Sequence, residues 1–248
     1  MADYKFPTEM VDLPSQGYFY FDDHPLSSGK VEVKYMTAKE EDILTSQNLI
    51  QQGTVIDKLL ESLIVDKSIK IDDLLIGDKN AIMVAARVLG YGKDYDITYD
   101  GEEHTIDLSV LEPVDIDFDQ FEKGKNEFEF ELPTTKIPIT FKLLTGSDEK
   151  EISDELTAKE KISKEQSSEL TTRLKKMILS VDGKSERGYI NKFIDNEFLS
   201  RDSLAFRQYL SSITPDVDMS ATVVDSAGKE NVVTIPVTVR FFWPSAGI

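Results

Sequence analysis

The sequence has no cysteine, only two histidines (His24 and His104) and a single tryptophan, Trp243, in 248 residues. Without cysteine, disulfides and thiolate metal sites are excluded. A zinc centre would need both histidines plus carboxylates, and a Ser-His-Asp or Cys-His nucleophilic centre has almost no material. No apolar run approaches the ~20 residues that span a bilayer. The opening Met1-Ala-Asp-Tyr-Lys-Phe lacks the basic and apolar stretches of a secretory signal, so a soluble protein made in a cytoplasm is expected. The phosphate-cradling G-x-x-x-x-G-K and the nucleophile G-x-S-x-G are missing too. Gly90-Tyr-Gly92 follows a helical pattern instead of opening one, which suits a helix cap rather than a nucleotide loop.

Positive charge is scarce and unevenly placed. The chain carries 46 acids against 28 Lys and Arg, a formal net charge of -18. Residues 1–120 hold 25 acids and 10 bases, and residues 121–248 hold 21 and 18. So acidic a front half repels phosphate backbones and disfavours nucleic acid as a partner. Solubility alone accounts for such charge; the functional reading is an acidic surface that docks a basic partner. With 40% hydrophobic and 30% charged residues, the composition is that of a folded globular chain.

The patterning predicts an α+β protein. Leu13-Pro-Ser-Gln-Gly17 is a turn signal, followed by the aromatic run Tyr18-Phe-Tyr-Phe21. Residues 30–36 alternate as a half-buried strand. Thr37-Ala-Lys-Glu40 fits a capping box that opens a helix. A second helix is expected from Thr54, with Val55, Ile56, Leu59, Leu60 and Leu63 on one face, and a third capped by Asp78. Residues 95–99 and 104–108 flank Asp100-Gly101 as a hairpin with a loop somewhat longer than two residues. A second strand pair is expected at 128–132 and 137–141, with Pro133 and Pro138 at strand ends or an edge. Helical stripes follow: Leu170, Leu174, Met177 and Ile178; then Tyr189, Ile190, Phe193 and Ile194; then Leu204, Ala205, Tyr209 and Leu210, ended by Pro215. A C-terminal hairpin closes the chain, with residues 220–224 as one arm and 231–243 as the other. In that second arm Val233 to Trp243 alternate inward and Phe242 points out. The predicted organisation is an acidic N-terminal unit over 1–120, then a sheet unit over 121–248 with a helical insertion at about 148–214.

Few patterns point to chemistry. Asp115-Ile-Asp-Phe-Asp119 resembles the start of a calcium loop, but Gln120 stands where that loop needs glycine. It reads as a strand with a solvated acidic face. Among 46 carboxylates some pair could work as a glycosidase acid and base, yet no pair is singled out. No catalytic or metal-binding residue, and no cofactor, is expected. Arg201-Asp202-Ser203 fits a helix start, with Asp202 or Ser200 as cap and Arg201 paired to an acid. An outward aromatic near a chain end suits a partner contact.

In order along the chain, Leu13-Pro-Ser-x-Gly17, Met36-Thr-Ala-Lys-Glu-Glu-Asp-Ile-Leu44, Asp73-Leu-Leu-Ile-Gly-Asp78, Phe130-Glu-Leu-Pro133 with Phe141-Lys-Leu-Leu144, Arg201-Asp-Ser203, Pro215-Asp-Val-Asp218 and Phe241-Phe-Trp-Pro244 resemble the baseplate hub proteins of T4-like contractile-tailed bacteriophages. The resemblance implies a non-catalytic role in the virion tail, as a hub subunit or as an assembly factor that escorts other hub and tail proteins. Phe242, Trp243, Arg201 and Asp202 are its candidate partner-binding residues. A carboxylate-based cell-wall glycan hydrolase of the tail is the rival function. Relatives often carry a C-x-x-C-G turn between the last two strands. Here Val224-Asp-Ser-Ala-Gly228 keeps only the glycine, so no metal is expected there.

Overall fold

In the computed structural model, which describes residues 7–162, 168–226 and 228–242, the chain is α+β, as its patterning predicts. Strands β1 (Thr8–Asp12) and β2 (Lys30–Lys34) pair antiparallel, Val11 opposite Val31. Four helices follow: α1 (Ala38–Thr45), α2 (Gln47–Gln51), α3 (Val55–Leu63) and α4 (Ile76–Tyr91). Next come a hairpin of β3 (Asp94–Tyr99) and β4 (Glu102–Asp107), then β5 (Phe128–Glu131) and β6 (Pro138–Phe141). Helices α5 (Gly146–Ile162) and α6 (Glu169–Met177) precede β7 (Ile178–Val181), which joins a three-stranded sheet in the order β5-β6-β7. After α7 (Arg187–Asn196) and α8 (Ser200–Ile213), β8 (Ser220–Val224) and β9 (Glu230–Thr234) form the last hairpin. No helix among the described residues is long and apolar enough to cross a membrane.

Local chemistry places most of these elements. Both halves of the Thr37–Glu40 capping box form, each satisfying a backbone amide at the start of α1. The buried Glu40 carboxylate also accepts from Lys34 Nζ at 2.8 Å and from Ser62 Oγ at 2.6 Å, tying α1 to β2 and α3. The β3–β4 turn is two residues long, not longer. Tyr99 pairs directly with Glu102, and Asp100 and Gly101 both take positive φ, 51° and 80°, as a type I′ turn requires.

Several expectations are corrected. Asp78 does not cap α4: Leu75 holds the capping position and Asp78 lies within the first turn. Thr54 precedes α3 without a side-chain cap. The stripe ending at Ile178 breaks at Met177, because Ile178 is drawn into β7 beside Phe141, where a fully buried β-branched residue fits a strand. On α8 the inward residues are Asp202, Ser203, Phe206 and Ile213, whereas Leu204 is 48% exposed. Asp115 to Asp119 is not a strand: it runs into a short 3-10 turn whose Asp119 amide is capped by Asp117.

The C-terminal arm departs furthest. β9 stops at Thr234, Pro236 interrupts the ladder, and Val239–Phe242 is a 3-10 turn. Alternating burial persists through Phe241, but the turn then brings Phe242 inward as well, so both phenylalanines are fully buried. The β8–β9 connection is held by polar contacts. The Asp225 carboxylate accepts from the Lys229 amide and from Asn231 Nδ2, each at 2.9 Å. Buried apolar residues from Leu13 to Phe242 make one continuous cluster.

Candidate partner interface

Motifs distant in the chain meet inside it. Ser15 of the first turn donates to Asp78 twice, from its amide at 2.9 Å and from its hydroxyl at 2.7 Å. The Tyr20 hydroxyl donates to the same carboxylate at 2.6 Å and accepts the Leu75 amide at 2.9 Å. Burial pushes the Asp78 carboxyl above its ordinary range, although the Tyr20 and Ser15 donors oppose the shift. The Tyr20 phenol is pushed up by burial and then by the Asp78 charge. Beside this clamp, Gly77 touches the Pro215 backbone so closely that an added Cβ would lie 1.8 Å from its oxygen. Asn80 Nδ2 donates to both oxygens of Asp216, at 3.0 and 3.2 Å.

The four residues expected to touch a partner separate. Asp202 is fully buried and turned toward the β5–β6 connection, accepting from the Thr134 amide at 2.7 Å and from the Thr135 amide and hydroxyl at 3.1 and 3.0 Å. Burial opposes its ionisation, but these donors outweigh it and hold the carboxyl below its usual range. It is therefore a brace between α8 and the sheet, not a cap: Leu199 holds the capping position. Its neighbour Arg201 is exposed and makes no ion pair among the described residues. Phe242 is not outward; Phe241 and Phe242 meet edge to face at 5.5 Å. The buried Arg87 guanidinium fixes this segment, donating to the Phe241, Gly92 and Asp94 carbonyls at 3.0, 2.6 and 3.0 Å. Trp243 lies outside the described residues.

The surface that invites a partner lies elsewhere. An open groove of about 1030 Å³ is lined by β1 and α4, with Leu108, Leu111 and Pro113 also contributing to it. Its floor is a stripe of α4, Ala81, Val84, Ala85 and Val88, at the i, i+3, i+4, i+7 spacing of one helix face. Met10, 57% exposed, stands on its β1 wall, and Val110, 68% exposed, sits between the lining residues Ser109 and Leu111. No local sequence pattern singles out these residues as a surface. The usable signal was that α4 carries apolar residues around most of its circumference, more than one covered face requires.

No group of three or more potential metal ligands occurs among the described residues. The carboxylates raised by burial, Asp78 and Asp216, are both engaged in internal hydrogen bonds, Asp216 also with the Val217 amide at 2.7 Å. The fold ties its own motifs together and leaves an apolar groove open beside β1. No curated protein and no solved structure matches the chain. A sequence family described as "T4 bacteriophage base plate protein" matches residues 12–243, nearly the whole chain, including every motif pair described above. The chain belongs to this family of phage baseplate proteins.

Proposed function

We propose that the protein is a non-catalytic component of the baseplate hub of a contractile tail, a subunit or assembly factor that works through protein–protein contacts. The family match over residues 12–243 carries this reading as far as the baseplate. The hub role follows from the resemblance of the ordered motifs. The partners are other hub and tail proteins, met during assembly in the host cytoplasm. In this reading the acidic unit over 1–120 steers a basic partner, and Arg201, exposed and without an ion pair among the described residues, supplies a contact from the 121–248 unit. Asp202 serves that contact less directly, by bracing α8 against the β5–β6 connection, and Trp243 stays a proposed contact residue beside the buried Phe242. No observation favours the glycan hydrolase: Asp78 and Asp216, the carboxylates raised by burial, are bonded within the fold.

Quantifying the protein in purified tails and in hub assembly intermediates tests this. A fixed copy number in finished tails identifies a permanent subunit, and enrichment in intermediates alone identifies an assembly factor. Absence from both would overturn the hub reading.

A further inference from the structure

The groove between β1 and α4 has the chemistry of a strand acceptor. The Tyr35 amide donates to the Pro7 carbonyl at 3.1 Å, and the Leu13 amide to the Gly29 carbonyl at 2.8 Å. These two bonds fix the odd-numbered residues of β1 as those facing β2. By antiparallel alternation the amides and carbonyls of Thr8, Met10 and Asp12 turn to the other edge, and β1 pairs with no described strand but β2. An unpaired edge beside an apolar floor binds extended chain, because a strand satisfies the edge while alternate side chains fill the floor. Ala81 and Ala85 leave the depth for those side chains.

Charge selects the occupant. Glu9 and Asp12, both exposed, line the groove from opposite faces of β1; Lys30, the one cation among the lining residues, is paired with Asp12 at 2.8 Å, so Glu9 leaves the lining net negative. A second copy would bring the same acidic edge and another net charge of -18. We propose that the groove takes an extended segment of a different protein, with alternating aliphatic and basic residues, as a third strand on β1. The inference rests on the baseplate reading only for the partner being a tail protein.

The test uses the full-length chain and a capped nine-residue probe with Val at odd and Lys at even positions. Two control peptides replace Lys by Glu or scramble the alternation. The expected result is saturable binding of the Lys probe, at least tenfold tighter than either control and weakened by salt. Hydrogen exchange of the Thr8, Met10 and Asp12 amides should slow on binding. Ala85→Trp should abolish binding by filling the floor, and the surface pair Glu9→Lys with Asp12→Lys should switch preference to the Glu peptide. No binding at millimolar probe, or binding without protection of those amides, would overturn the proposal. So would a concentration-dependent dimer that Ala85→Trp dissociates, since the occupant would then be a second copy. None of these failures touches the count of the protein in tails, which tests the baseplate reading separately.

Discussion

The Tyr20 hydroxyl donates to Asp78 Oδ2 at 2.6 Å across 58 residues of sequence, and this bond joins the N-terminal turn to the first turn of α4. Every polar group in the cluster has a partner. Leu75 donates to Tyr20, Tyr20 and Ser15 donate to Asp78, and the Gly17 amide donates to Ser15 Oγ at 3.1 Å. A buried polar network of this kind is stable only while complete, because each orphaned member keeps its desolvation cost.

Tyr20→Phe should therefore destabilise the protein by about 1–3 kcal/mol, since the Leu75 amide loses its acceptor and Asp78 one of its donors. Asp78→Ala should be worse than Tyr20→Phe, as it orphans the Ser15 amide and both hydroxyls together. Urea unfolding of the two variants is the check. Equal stability of wild type and Asp78→Ala would show that the clamp contributes nothing.

Gly77→Ala should prevent native packing, because the new Cβ would lie 1.8 Å from the Pro215 oxygen and 2.6 Å from the Asp216 Cα, both backbone atoms. Gly188, in α7, has nothing within 4 Å of its Cβ position. Gly188→Ala should stabilise by up to ~1 kcal/mol through helix propensity. Thermal melts of the pair would expose an error if both moved the same way.

Glu40 gives a pH dependence with a defined sign. Burial acts against its charge, but the bonds from Lys34, Ser62 and Thr37 prevail and lower its pKa from 4.5 to about 2. A depressed carboxylate contributes stability above its unfolded pKa and loses it as pH falls toward the folded value. The contribution at neutral pH is at most about 3 kcal/mol. Glu40→Gln should melt well below wild type at pH 7, and the gap should narrow between pH 5 and pH 2. A gap independent of pH would mean that shape, not charge, matters at this site.

Phe242→Ala should lower stability by roughly 3–5 kcal/mol, as for other large buried aromatics. Arg201→Glu should stay within about 0.5 kcal/mol of wild type, as exposed substitutions do, yet reduce incorporation into baseplates. Melting and tail incorporation, measured on both variants, separate the roles. A neutral Phe242→Ala would restore the outward facing that alternation alone suggests.

Much of the fold was legible because its signals are local. The capping box at Thr37, the Asp100-Gly101 turn, the apolar face of α3 and the alternation of β5 against β6 depend on residues a few positions apart. The Asp202 carboxylate was visible as a polar residue at a helix start. Capping was the local option, and the Thr134 and Thr135 amides that capture it come from a hairpin 68 and 67 residues away.

The sequence by itself determined the fold class, the absence of thiol chemistry, the charge asymmetry and the order of motifs that mark the family. Tertiary structure alone decided that Ile178 is strand, that Phe242 turns inward and that a groove opens beside β1. The physical reason is reach. Periodicity records which side of an element is apolar, but which neighbour covers that side depends on contacts between distant segments. Arg87 holding the Phe241 carbonyl and Gly77 seated on Pro215 are contacts of that kind, and no local pattern encodes them.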